Sequence, residues 1–104
     1  MTPAELAHRE GVETATLARR MGVSRRSVYL AGERGIPWAS AMTGDYGRLV
    51  TVEAVADALG MTHGEAFDAL RDCVALYYDR ARDAHVALER ARAEAEAAAM
   101  GGEQ

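Results

Sequence analysis

Between Arg19 and Leu30 the chain sets four guanidinium groups, two hydroxyls and a phenol close together, as Arg19, Arg20, Ser24, Arg25, Arg26, Ser27, Tyr29 and Leu30. Guanidinium forks donate paired hydrogen bonds to phosphate oxygens and to guanine edges. A serine at a helix N-terminus adds backbone N–H groups that can meet a phosphate. This set offers recognition of a polyanion and its base edges rather than bond making. Arg26, Ser27, Tyr29 and Leu30 are the candidates for base contact. Arg19, Arg20 and Arg25, with Ser24, are the candidates for phosphate.

Other reactive residues do not assemble into a catalytic or metal-binding pattern. His8, His63 and His85 lie far apart in sequence and Cys73 is the one cysteine, so no metal-ligand spacing exists. His85 and Glu89 are one turn apart, which reads as a surface pair rather than a proton relay. Asp68, Asp72, Asp79 and Asp83 make a carboxylate-rich helix side with no divalent-ion loop around it. The glycines after Gly35 do not match a phosphate-binding loop. Trp38 and the Tyr77-Tyr78 pair read as core or interface aromatics rather than an effector pocket, and Cys73 as a buried thiol rather than a redox switch. No enzyme activity, metal or cofactor is expected.

The elements that must hold the arginines are legible around them. In Thr14 to Glu33, TATLARRMGVSRRSVYLAGE, the residues Leu17, Met21, Val23, Val28 and Ala31 fall where two short helices meet each other and a core. Ala18 is small at the crossing, and Gly22 stands where the turn needs a left-handed backbone. A first helix should run from Pro3 to Glu10, capped by Thr2 and stopped at Gly11. The second should run from Glu13 or Thr14 to Met21, and the third from a Ser24 cap to Arg34, stopped by Gly35.

From Gly35 to Leu49 the helical period lapses, which predicts a loop with a weak hairpin near Thr43-Gly44-Asp45. Val52, Val55, Ala56 and Leu59 then share one face of a fourth helix, ended by Gly60. Thr62 and Glu65 form a capping box for a last helix with no stop signal before Gly101-Gly102.

Composition agrees with helices packed on helices. The chain has 104 residues, 49% of them apolar and only 6% aromatic, which predicts one all-α domain. Its net charge of −4 divides unevenly: residues 1–50 carry +2 and residues 51–104 carry −6, so the arginine cluster lies in the basic half. Every basic residue is Arg; a GC-rich genome would explain that without any mechanism. With one cysteine and no leader or long apolar run, a cytoplasmic protein with no membrane association is expected.

Along the last helix Phe67, Val74, Ala81, Leu88 and Ala95 recur at heptad spacing, as do Leu70, Tyr77, Ala84, Ala91 and Ala98. The spacing predicts a coiled-coil homodimer through Phe67, Leu70, Val74, Tyr77, Ala81, Ala84 and Leu88. In the plainer reading only Phe67 to Tyr77 pack, on the chain's own core, and the Ala-rich remainder is a solvated helix. The flanking charges leave parallel and antiparallel pairing both open. The expected organisation is a helix-turn-helix domain over 1–62, a dimerisation helix over 63–100 and a disordered tail over 101–104.

Val55-Ala56 and Leu59-Gly60-Met61-Thr62 repeat the pattern of Leu17-Ala18 and Met21-Gly22-Val23-Ser24 with the same internal spacing. The outward face of this echo holds His63, Gly64, Glu65, Phe67 and Asp68, whose acids repel phosphate. It reads as helix-turn-helix geometry reused for core packing.

His8-Arg9-Glu10-Gly11-Val12, Leu17-Ala18, Gly22-Val23-Ser24-Arg25 with Val28, and Glu33-Arg34-Gly35 together resemble the first three helices of the lambda-repressor/Cro-like (Xre-type) helix-turn-helix family. Val55 to Thr62 is similar to that family's fourth helix and the turn into its fifth. The resemblance covers about residues 5 to 70 and implies a five-helix domain binding double-stranded DNA as a homodimeric regulator, with Ser24 to Leu30 as the reading segment. Read with a β-wing over 36–50, the order of elements also resembles the MerR/excisionase group, the second choice. The expected function is a sequence-specific transcriptional regulator acting as a repressor. The alternative is a DNA-binding assembly protein, such as a phage packaging-recognition subunit or a plasmid segregation adaptor.

Overall fold

A computed structural model describes residues 1–38 and 50–102. The described residues are helical, with no strand: α1 Pro3–Arg9, α2 Thr14–Met21, α3 Arg25–Arg34, α4 Val52–Leu59, α5 His63–Ala69 and α6 Arg71–Gly102. The all-α expectation therefore holds. The hairpin and β-wing readings lie outside the described residues.

Local chemistry accounts for most helix ends. Thr2 and Glu5 form a reciprocal capping box on α1, at 3.2 Å to the Glu5 amide and 3.0 Å back to the Thr2 amide. Thr62 and Glu65 do the same for α5. The single hydroxyl caps Ser24 and Thr51 start α3 and α4. Two carbonyls from the segment after α3 supply further acceptors to the start of α4: the Val52 amide donates to Pro37 and the Glu53 amide to Trp38.

Three corners of the fold share one construction. Leu6-Ala7, Leu17-Ala18 and Val55-Ala56 bury their side chains, and one turn after each alanine comes a glycine with φ of 75°, 70° and 67° (Gly11, Gly22, Gly60). The next residue then donates to the alanine carbonyl: Val12 to Ala7 at 2.8 Å, Val23 to Ala18 at 3.0 Å, Met61 to Ala56 at 3.0 Å. That is the six-to-one bond of a glycine-terminated helix. A Cβ at Gly22 would meet nothing within 4 Å, so glycine is needed there for backbone conformation and not for space. The α2–α3 corner thus recurs at α4–α5, as the sequence echo implies, and also at α1–α2.

Two buried clusters join these corners. Ala7, Leu17, Ala18 and Val28 hold α1, α2 and α3 together. Leu6, Ile36, Val52, Val55, Ala66, Leu70 and Val74 belong to the larger cluster. Met21, Val23 and Leu59 pack on both, making the two clusters one continuous core.

The expected single last helix is two. Leu70 leaves helical geometry at φ −100°, ψ 13°, while its side chain is fully buried. The bend lets Ala66 on α5 and Cys73 and Val74 on α6 enter the same cluster. No Gly or Pro marks it, because tertiary burial rather than a local stop signal sets the angle. The core therefore crosses the expected domain boundary at residue 62. Gly101 and Gly102 continue α6, and residues 103–104 lie outside the described residues.

α3 stops against α6. At Gly35, with φ 91°, a Cβ would lie 2.7 Å from the Cys73 carbonyl oxygen and against the Tyr77 amide, so only glycine fits. The following Ile36 amide donates to that Cys73 carbonyl at 3.1 Å. Beyond Tyr77 every described side chain on α6 is exposed through Ala99, giving a molecule of 66 × 23 × 20 Å. Among the described residues no helix is long and apolar enough to cross a membrane.

Candidate nucleic-acid interface

Val28 anchors α3 in the core at 0% exposure, and this single fixed position decides which residues face outward. Ser24, Arg25, Arg26 and Tyr29 are exposed; Ser27 and Leu30 are half-buried. Ser24 Oγ accepts from the Ser27 amide at 3.1 Å and lies 3.0 Å from Ser27 Oγ. The two hydroxyls are thus engaged with each other and with the cap. The amides of Arg25 and Arg26, in the first turn, have no intrahelical acceptor and remain donors for an anion.

The arginines divide into two groups. Arg19, Arg25 and Arg26 are exposed, and among the described residues none has a carboxylate within ion-pair distance. Arg20 is engaged: its Nη1 donates to the Ala58 carbonyl at 2.8 Å, tying α2 to the last turn of α4. A cation there also answers the partial negative charge of the α4 C-terminus. The sequence pattern predicts a phosphate contact for Arg20. It does not reveal this tie, because the acceptor is a backbone carbonyl on a helix distant in sequence, which no side-chain pattern advertises. Ala58 is nonetheless the residue equivalent to Arg20 in the echo, so the two corners are joined at matching positions.

The echo presents other chemistry at the positions matching this face. His63 stands for Arg25 and bonds Asp57 at 3.0 Å; Gly64 stands for Arg26; Glu65 stands for Ser27 and is held in its capping box. Phe67 stands for Tyr29. The Tyr29 ring is 54% exposed, whereas Phe67 packs edge-on against Trp38 at 5.1 Å, with the Arg71 guanidinium 6.0 Å from its ring centre. Asp68, which stands for Leu30, pairs with Arg71 at 3.0 Å.

The predicted dimerisation residues separate along α6. Leu70 at 0% exposure and Val74 at 6% belong to the chain's own core, and Phe67 and Tyr77 are half-buried. The bend at Leu70 turns this end of the heptad pattern inward, so Leu70 and Val74 are removed from the candidate interface. Ala81, Ala84 and Leu88 are exposed, Leu88 by 66%.

The remaining candidates occupy ordinary positions. His85 lies 3.8 Å from Glu89 on an exposed helix face, and Asp79 pairs with Arg82 at 3.1 Å. No group of three or more His, Cys, Asp or Glu among the described residues could hold a metal ion. Cys73 is buried, its Sγ donating to the Met1 carbonyl at 3.4 Å. Burial pushes its thiol above the ordinary range, against a smaller opposing pull from the N-terminal ammonium. An open groove lined by Met1, Ala4, His8, Thr14 and Tyr29 runs beside α3, and the sequence pattern gives no sign of it.

Comparison with protein-family models, characterised proteins and solved structures finds nothing that matches the chain.

Proposed function

We propose that the chain is a sequence-specific, double-stranded DNA-binding regulator of transcription that acts in the cytoplasm as a homodimeric repressor. One observation carries this reading. The exposed first turns of α3 hold Arg25, Arg26 and Tyr29 around a capped helix N-terminus, on a helix fixed to α2 through Val28 and Leu17. A helix held this way can enter the major groove, about 12 Å wide, with its N-terminal residues at the base edges.

In that docking Arg26 and Tyr29 meet bases, while Arg25, Arg19 and the first-turn amides meet phosphates. Ser24 serves through the cap it makes. Arg20 acts behind the interface by holding α2 on α4. The acidic half of the chain stays away from the duplex, and occupancy of an operator excludes other proteins from the same DNA.

The test is a fluorescence-anisotropy titration of duplex DNA from the region flanking the gene, repeated across salt. Affinity should fall steeply with salt, and Arg25→Ala should reduce the slope by about one phosphate contact. A salt-independent affinity contradicts the reading.

A further inference from the structure

We infer that α6 pairs with α6 of a second copy in antiparallel orientation, Tyr77 of one chain against Ala95 of the other. The purpose of the resulting spacing rests on the DNA-reading proposal; the pairing itself does not.

The stripe available for pairing is Tyr77, Ala81, Ala84, Leu88, Ala91 and Ala95, half-buried at Tyr77 and exposed from Ala81 onward. Side-chain size selects the direction. Parallel, in-register helices stack Tyr77 on Tyr77 and Leu88 on Leu88, with alanine on alanine between and beyond them. The helix separation would then have to widen and narrow repeatedly. Antiparallel helices place Tyr77 on Ala95, Ala81 on Ala91 and Ala84 on Leu88, so no layer holds two large side chains and the separation varies less.

Charge selects the same direction. Two α6 arginines are satisfied within the chain: Arg82 with Asp79 at 3.1 Å and Arg92 with Glu96 at 3.5 Å. Arg80 and Glu94 flank the stripe on one side, and among the described residues neither has an ion-pair partner. The antiparallel arrangement brings Arg80 of each copy to Glu94 of the other, twice by symmetry. In the parallel arrangement Arg80 faces His85 and Glu94 faces Ala99.

The fold adds a steric reason. Leu70 and Val74, at the N-terminal end of the same stripe, are covered by their own chain. Parallel copies would bring both covering domains to one end of the seam, whereas antiparallel copies place them at opposite ends. The midpoint of the pairing falls at residue 86. Gly35, at the end of α3, backs onto α6 between Cys73 and Tyr77. At about 1.5 Å per residue the two Gly35 contacts lie about 33 Å apart along the helix axis, close to the roughly 34–36 Å of one DNA turn. Antiparallel pairing thus sets the two points at which the C-terminal ends of the α3 helices back onto α6 about one DNA turn apart.

The test uses the full chain without DNA. Sedimentation equilibrium should show a dimer whose Kd rises about tenfold or more in Arg80→Glu and in Glu94→Arg, and which recovers when the two variants are mixed. Under oxidised glutathione, Ala84→Cys and Leu88→Cys should form a disulfide with each other and neither with itself. A monomeric wild-type chain, failure of the mixture to recover, or self-linking of each cysteine variant would overturn the inference. Any of these results would leave contact between α3 and DNA standing, since that is read separately by anisotropy.

Discussion

The Ile36 amide donates to the Cys73 carbonyl at 3.1 Å, tying the residue just past α3 to the start of α6. The bond lies beside Gly35, whose missing Cβ lets the two backbones approach. A helix whose outer face is proposed to read DNA is therefore fixed directly to the helix proposed to pair two copies.

Gly35→Ala should destabilise the fold by about 2–4 kcal/mol, because the methyl group meets α6 backbone and φ is 91°. Gly22→Ala, at φ 70° with open space around it, should cost only about 1 kcal/mol. Urea unfolding of the two variants measures the difference; equal costs would mean the α3–α6 contact is not tight.

Arg20→Ala should lower stability by about 1 kcal/mol, through loss of the 2.8 Å bond to Ala58, and change the salt dependence of DNA affinity little. Arg19→Ala should behave in the opposite way. Thermal unfolding and anisotropy on the same two proteins separate these roles, and an unchanged melting temperature for Arg20→Ala would return that residue to the phosphate group.

Much of this arrangement is legible in the residues. Glycines after short amphipathic runs announce the ends of α1 to α4, and hydroxyls before them announce the starts of α1, α3 and α4, because caps and left-handed turns are local chemistry; α2 starts after Glu13 with no side-chain cap. The exposure of Arg25, Arg26 and Tyr29 follows from the spacing around Val28. The bend at Leu70 is not legible, since an uninterrupted helical sequence is compatible with both a straight and a bent path, and burial against Ile36 and Val52 chooses. Ser27 and Leu30 look outward by position yet are half-buried, Ser27 being engaged with Ser24 Oγ. Heptad spacing likewise does not separate a stripe packed on its own chain, as at Leu70 and Val74, from one left exposed, as at Ala84 and Leu88.

Cys73 supplies a pH-dependent prediction. Burial raises its folded-state pKa above the ordinary thiol value of 9.0, so its contribution to stability is intact below that pH and is lost as pH rises through the folded value. Iodoacetamide should modify Cys73 at least about tenfold more slowly in the native chain than in urea at about pH 8.5. Equal rates would show that the Met1 to Leu6 segment does not cover the thiol.

The most direct measurement is selection of binding sites from a random duplex library by the full chain, followed by titration of the selected site with Arg26→Ala. The account predicts an enriched sequence of two inverted half-sites about one DNA turn apart, and an affinity loss of about tenfold or more for the variant, roughly 1–3 kcal/mol. No enrichment, or a selected site that Arg26→Ala binds as tightly as the wild type, would contradict it.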